Sequence, residues 1–179
     1  MKHLRIILLF VALIAVTCKN NPFRVDVSDI KTNLNITRFE KELFSTDPSA
    51  LENYIPKWKN EYGEFFQHYS YILKLGYIDD PGFVDGLRLF VTDHTNYQIY
   101  KRTLQVFPDL GTFTAELNDA FSHYRYYFPN KPIPRVVTSI SGFNQSAITD
   151  DSLLAMGLDK YLGTGENLYK QYGIYNNLV

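Results

Sequence analysis

Cysteine and histidine, the side chains that most often bind metals or attack substrates, are scarce in this sequence. It contains one cysteine, Cys18, and four histidines. No two histidines have the His-Glu-x-x-His spacing that places two zinc ligands on one face of a helix. A structural zinc site would need cysteines beyond residue 18, and the sequence has none there. The sequence therefore predicts no metal site and no bound cofactor.

Acid–base and nucleophilic chemistry is also weakly supported. Asp93 and His94 are adjacent and could transfer a proton, but they stand at an expected helix boundary, where aspartate favours the N-cap position. Capping is the preferred interpretation. Ser139 and Ser141 have no histidine nearby in the sequence and no nucleophile-elbow pattern. We therefore predict no catalytic residues and a protein that is not an enzyme.

Cys18 has another chemistry open to it, the attachment of a lipid. Lys2 precedes an apolar run that extends from Leu4 to Val16, and Arg5 is the one charged residue within that run. This run is shorter than the roughly 20 residues that span a bilayer, and its flanks are typical of a secretory signal. Ala15–Cys18 resembles a lipobox, where the signal is cut before a cysteine that carries diacylglycerol and fatty acids such as palmitate. The alternatives are an ordinary signal peptide, or a small buried N-terminal helix with an incidental thiol.

Three regions follow from this interpretation: a signal peptide at 1–17, a lipidated tether at 18–29 and a single α+β domain at 30–179. Loss of the signal leaves 16 basic and 19 acidic side chains, a net charge near −3. That balance is too small to indicate binding to nucleic acid. The remaining length is normal for one domain.

Apolar side chains recur at helical spacing through most of the chain. The expected helices begin at Asp47-Pro48 and Asp80-Pro81 or follow apolar stripes over 62–73, 97–107 and 110–128. Pro56 is expected to begin a second helical piece or to kink the first. The stripe of the last helix places Tyr124 and Phe128 in the core. This favours core packing over base stacking for the aromatic segment 123–128.

Short β-branched segments predict strands. One is expected within 30–39, and three more at 135–141, 146–149 and 153–158. The predicted fold is α+β: a mostly helical N-terminal bundle followed by a small, mostly antiparallel sheet.

Two turns flank the predicted strands and are the candidate partner-binding surface. The first contains Gly142, Phe143 and Asn144. The second, Gly157–Gly163, contains Asp159 and Tyr161. Asp159 either caps its own turn or lies with Tyr161 at the rim of a cleft beside the sheet.

Four segments in this order and spacing resemble the gliding-motility lipoprotein family GldB of Bacteroidetes. They are Arg38–Phe44, Tyr126–Pro129, Thr138–Asn144 and Gly157–Gly163. The resemblance implies an envelope protein needed for gliding and the associated type IX secretion, with protein partners in that machinery and no established catalytic residues. It also implies a chain that is a C-terminally truncated member.

The same resemblance implies a distant likeness to zinc-peptidase-like domains, here without the metal-binding helix that would follow the sheet. A degenerate or truncated peptidase-like enzyme of the cell envelope is therefore the alternative. We expect a lipid anchor in the inner or outer membrane. Residues 19–21 contain no acidic side chain, and this favours the periplasmic side.

Overall fold

The computed structural model describes residues 25–174, which form seven α-helices and four short strands. In chain order these are β1 (Ile36–Arg38), α1 (Phe39–Ser45), α2 (Leu51–Tyr62), α3 (Glu64–Ile72), α4 (Phe83–Thr92), α5 (His94–Val106), α6 (Gly111–Tyr127), β2 (Arg135–Ser139), β3 (Ala147–Thr149), β4 (Leu153–Gly157), a 3₁₀ turn (Leu158–Tyr161) and α7 (Asn167–Gln171). The predicted α+β class is confirmed. The expected signal peptide and Cys18 lie outside the described residues. Within 25–174, no helix has the length and apolar character needed to cross a membrane.

The four strands form one mixed sheet in the order β1-β2-β4-β3. β1 and β2 pair in parallel, with Ile36 opposite Val136, and β2 and β4 also pair in parallel. Only β3 and β4 are antiparallel. The prediction of a mostly antiparallel sheet is therefore wrong. After β2 the chain passes to the sheet edge as β3 and returns as β4 between the two, a path that local sequence patterns do not reveal.

The core is built around Phe39, the first residue of α1, which is fully buried. Its ring makes edge-on contacts with five aromatic rings from α2 and α3, those of Trp58, Tyr62, Phe65, Phe66 and Tyr69. Aromatic pairs of this geometry contribute about 0.5–1.5 kcal/mol each beyond the area they bury. This cluster packs the helices against Val137, Leu153 and Ala155 of the sheet.

Several helix boundaries differ from the prediction. The stripe expected over 62–73 is divided by Gly63, whose φ of 53° ends α2 and begins α3. α2 continues through Pro56 rather than restarting there. Asp47 accepts hydrogen bonds from Ser49 in a turn that precedes α2, so it does not cap the helix directly. Asp93 does cap α5, as predicted, because its carboxylate accepts the backbone N–H of Asn96 at 2.9 Å.

α6 is long but poorly covered, since Ser122 is its only buried residue. The chain before β1 runs along it: Ser122 donates to the carbonyl of Ile30, and the side chain of Asn118 accepts the N–H of Leu34. Tyr124 is half-buried and Phe128 is exposed. The prediction that both lie in the core is therefore wrong, because the N-terminal segment packs on the polar face of α6 instead.

Candidate functional site

The carboxyl ends of three parallel strands share one edge of the sheet, which we call the carboxyl edge. Two positions after the last residues of β1, β2 and β4 stand Glu40, Ser141 and Asp159, respectively. All three side chains are buried. Ligands of open sheets with parallel strands bind outside the carboxyl ends of the strands, so a functional site is expected at this edge.

Glu40 is fully buried and is bonded on both oxygens. Its Oε1 accepts a hydrogen bond from Nε of Arg38 at 2.6 Å, and its Oε2 accepts one from the Thr138 hydroxyl at 2.8 Å. Nη1 of Arg38 donates to the carbonyl of Phe107 at the end of α5. A buried charge needs a partner of this kind, since an unpaired one would cost several kcal/mol. The cluster therefore joins β1, β2 and the end of α5.

Asp159 holds the loop that follows β2. One oxygen accepts the backbone N–H of Phe143 at 2.6 Å, and both carboxylate oxygens lie 3.2 Å from the backbone N of Ser141. The Ser141 hydroxyl lies 3.3 Å from the same carboxylate. Asp159 thus caps the loop 141–143 rather than the turn in which it stands.

This anchoring fits an unusual backbone. Gly142 and Phe143 both have positive φ, at 66° and 65°. In this turn the backbone N–H groups of Ser141 and Phe143 are directed toward one point, which suits an anion. The Asp159 carboxylate occupies that point. The amide of Asn144 closes the loop by donating to the carbonyl of Ser141 at 2.8 Å.

The electrostatics of the edge follow from burial. Desolvation raises the pKa of Asp159 to about 6, although the N–H groups of Phe143 and Ser141 oppose the shift. Burial also raises the pKa of Tyr69 well above its usual range, and the charges of Asp159 and Glu40 add to this shift. The Tyr69 hydroxyl donates to the carbonyl of Ile140 at 2.7 Å. It is therefore a structural donor at neutral pH.

The arrangement stabilises the loop and leaves its reactive groups inaccessible. Ser141, the potential nucleophile beside a carboxylate, is 1 % exposed. Its hydroxyl is also bonded to the backbone of Gln145. From the other side, the Tyr169 hydroxyl of α7 donates to the carbonyl of Asp159 and accepts from the N–H of Leu162. A substrate would have to displace this packing to reach either group.

The residues predicted as a partner surface divide into two sets. Asp159 and Phe143 are buried, so Asp159 does not lie at the rim of a cleft. Asn144 and Tyr161 are exposed, and Gly142 is half-buried. The buried set positions the backbone, and only the exposed set can contact a partner.

Three of the four segments singled out in the sequence meet here: Arg38–Phe44, Thr138–Asn144 and Gly157–Gly163. A family model described as gliding motility protein GldB matches residues 20–178. The chain belongs to the GldB family. Comparisons with curated proteins and with solved structures gave no match.

In this GldB family member, one group of side chains within residues 25–174, away from the carboxyl edge, could hold a metal. Glu64 and His68 lie one turn apart on α3, and Asp150 lies in the turn between β3 and β4. One ligand atom from each falls within 4.8 Å of the others. The backbone N–H of Ser152 bonds to Asp150 and holds the pKa of that carboxyl below its usual range. Sequence spacing missed the group because Asp150 is distant in the chain from Glu64 and His68.

Sequence reasoning also missed the role of Glu40 in this GldB fold. A strand was predicted within 30–39 and no helix before Asp47, so neither α1 nor the buried position of Glu40 in it was expected. The sequence offers one indication of this position, since Glu40 directly follows the strand residues and the apolar Phe39. A carboxylate placed there is directed over the strand ends.

Proposed function

We propose that this chain is an envelope-anchored, non-enzymatic component of the gliding-motility and type IX secretion apparatus. The observation that carries the proposal is the family match over residues 20–178. The family description supports a role in gliding, and the lone Cys18 behind an apolar signal supports a lipid anchor. The anchor would lie in the inner or outer membrane, with the domain facing the periplasm.

The closed carboxyl edge supports a binding role over a catalytic one. Ser141, Asp159 and Glu40 are bonded within the fold, so none is free to act on a substrate. Asn144 and Tyr161 are two exposed residues next to this buried framework. Exposed groups on loops fixed by buried contacts are well suited to recognise a protein partner. We therefore assign partner binding to the surface around Asn144 and Tyr161.

The alternative is a degenerate zinc-peptidase-like enzyme, and one observation favours it. Glu64, His68 and Asp150 offer an imidazole and two carboxylates, a donor set that zinc accepts. Glu64 and Asp150 are exposed, and Asp150 is already bonded to Ser152. This geometry is more easily explained by solvated surface charges. The secretion component remains the better-supported function.

Gene deletion followed by complementation with a full-length copy tests the proposal. We expect the deletion strain to lose gliding and to secrete less of the mobile adhesins, with no hydrolase activity lost. A Cys18→Ser copy should appear in the soluble envelope fraction and fail to complement, because the lipid anchor is gone. A Tyr161→Ala copy should stay membrane-bound and folded but impair gliding, whereas Tyr77→Ala, at an exposed aromatic in another loop, should complement fully.

Normal gliding and secretion in the deletion strain would contradict the proposed role. Cys18→Ser protein that still pellets with membranes, together with wild type that incorporates no labelled fatty acid, would contradict the lipid anchor. Equal complementation by the Tyr161→Ala and Tyr77→Ala copies would remove Tyr161 from the partner surface.

A further inference from the structure

The fourth segment singled out in the sequence, Tyr126–Pro129, lies apart from the carboxyl edge, at the C-terminal end of α6. Tyr126, Tyr127 and Phe128 are 50, 54 and 53 % exposed, and we call these three residues the aromatic tip. The rings of Tyr126 and Tyr127 contact each other edge-on, with their centroids 5.2 Å apart. Three half-exposed aromatic side chains at one end of a helix are a concentration of apolar surface, and exposed apolar surface of this kind can mark a contact site.

The charged side chains of the segment that carries the aromatic tip are positive. Arg125 and Lys131 flank it and are exposed, and no acidic residue occurs from His123 to Lys131. Lys131 also lies 3.2 Å from Asp151, but both groups are in water, where such a pair is weak. Aromatic rings flanked by cations match the chemistry of a bilayer interface, where tyrosine is enriched and headgroups carry negative charge.

The N-terminal segment of the domain lies on the same helix as the tip. Val25–Ser28 and the α6 residues Asp119, Ser122 and His123 line one groove. His123 precedes Tyr126 by three residues, about 4.5 Å along a helix. Six residues lie between Cys18 and Val25, and the seven steps from one to the other span at most about 25 Å. A lipid on Cys18 therefore keeps the aromatic tip within reach of the membrane surface.

We propose that the aromatic tip inserts into the headgroup region of the bilayer that holds the lipid anchor. The inference rests on the lipid anchor of the proposed function. Lipid and tip are then two contacts with one membrane, and together they fix the orientation of the domain. Arg125 and Lys131 contact anionic headgroups, while the three rings enter the interface beneath them.

The test supplies the tether artificially, so that it does not depend on lipidation in the cell. The mature chain with Cys18→Ser contains no cysteine. It is given an N-terminal hexahistidine tag and bound to vesicles of phosphatidylcholine and phosphatidylglycerol that contain a nickel-chelating lipid. Tyr127→Cys carries an environment-sensitive dye in the tip. Tyr77→Cys carries the same dye at a residue that is 62 % exposed between α3 and α4, and it is the matched control.

We expect the dye at position 127 to shift to shorter wavelength on vesicles and to be quenched by quenchers attached to lipid tails. The dye at position 77 should show neither effect. Arg125→Gln with Lys131→Gln should reduce the shift on vesicles that contain phosphatidylglycerol. No change at position 127, or equal changes at both positions, would overturn the proposal.

A shift at position 127 that appears without vesicles and grows with protein concentration would also overturn it, because a second copy of the chain would then cover the tip. Since the nickel lipid replaces the native anchor, a negative result here leaves the lipidation of Cys18 untouched. Conversely, absence of lipid on Cys18 in cells would contradict the proposed function while this vesicle experiment still reports on the tip itself.

Discussion

The carboxylate of Asp159 lies 2.6 Å from the backbone nitrogen of Phe143, sixteen residues earlier in the chain. This contact makes the loop after β2 and the turn after β4 a single structural unit. The two turns that the sequence predicts as separate parts of a partner surface are therefore coupled. A change at Asp159 should act on the whole unit, whereas a change at Tyr161 should act only at the surface.

Asp159→Ala should destabilise the protein by about 3 kcal/mol, since the two buried backbone N–H groups of Ser141 and Phe143 lose their acceptor. Tyr161→Ala should change stability by less than about 0.5 kcal/mol, because the side chain is 45 % exposed. Urea unfolding followed by circular dichroism measures both. Similar midpoints for the two variants would show that the Asp159 contacts contribute little to folding.

The raised pKa of Asp159 predicts a dependence of stability on pH. The carboxyl ionises near 3.8 in the unfolded chain and near 6 in the fold. Between these values the folded state binds more protons, so this group's contribution to stability is complete below pH 3.8 and is lost as pH rises toward 6. The shift corresponds to a contribution of up to about 3 kcal/mol.

Asp159→Asn removes the titration and is the comparison for this effect. The free energy of unfolding of wild type minus that of Asp159→Asn should fall as pH is raised from about 4 to 6.5, and should then be constant. This difference cancels the contributions of carboxyls whose pKa values are lowered, such as Glu42 and Glu166. Those contributions increase the free energy of unfolding as pH rises, which is the opposite direction. A difference that stays flat or rises over this pH range would show that the pKa of Asp159 is not raised in the folded protein.

Gly157 should not tolerate a side chain. A Cβ at this position would lie 2.2 Å from the backbone carbonyl oxygen of Gln145, and the N–H of Gly157 bonds to the carbonyl of Ser146 at 2.9 Å. Gly157→Ala would have to separate β4 from the chain leading into β3, so we expect a loss of about 3 kcal/mol. Gly82→Ala is the control, since nothing lies within 4 Å of its Cβ. Equal thermal midpoints for the two variants would refute this account.

The sequence predicts that the mature chain binds no catalytic zinc, and the group Glu64, His68 and Asp150 gives that prediction a specific test. Elemental analysis after mild chelation should find well under one zinc per chain. His68→Ala and the control His94→Ala, at another exposed histidine, should not differ in metal content. Stoichiometric zinc that is lost only in His68→Ala would instead favour the peptidase-like alternative.

Local patterns were sufficient for much of the fold. The helical stripes, the break after β2 and the cap at Asp93 depend on residues within a few positions of one another. Strand direction was not predictable, because it depends on where distant segments pair. Phe128 was misplaced for a related reason: its spacing on α6 selects a face of the helix but does not show whether anything covers that face.

The two turns were predicted from the sequence, but the contacts between them were not. Turn residues and glycines pointed to 142–144 and 157–163, and these segments do meet. Asp159 as an acceptor for Phe143, and Glu40 as an acceptor for Thr138, are contacts across 16 and 98 residues that no short pattern encodes. A carboxylate costs more free energy to bury than to expose, so burial was not expected from the sequence. The burial of these two carboxylates could be recognised only in the structure, which shows their hydrogen-bond donors.

The pairing of β1 with β2 has a consequence for how the chain reaches its destination. Ile36 is paired with Val136, a hundred positions later, so the first strand has no strand partner until about a hundred further residues have been synthesised. Such distant pairing closes slowly, because a long loop must be ordered before the contact forms. A polypeptide that crosses a membrane through a narrow translocation channel must stay unfolded until it has passed through. For the exported lipoprotein that we propose, the late closure of this sheet would delay folding before export and favour its completion on the far side of the membrane.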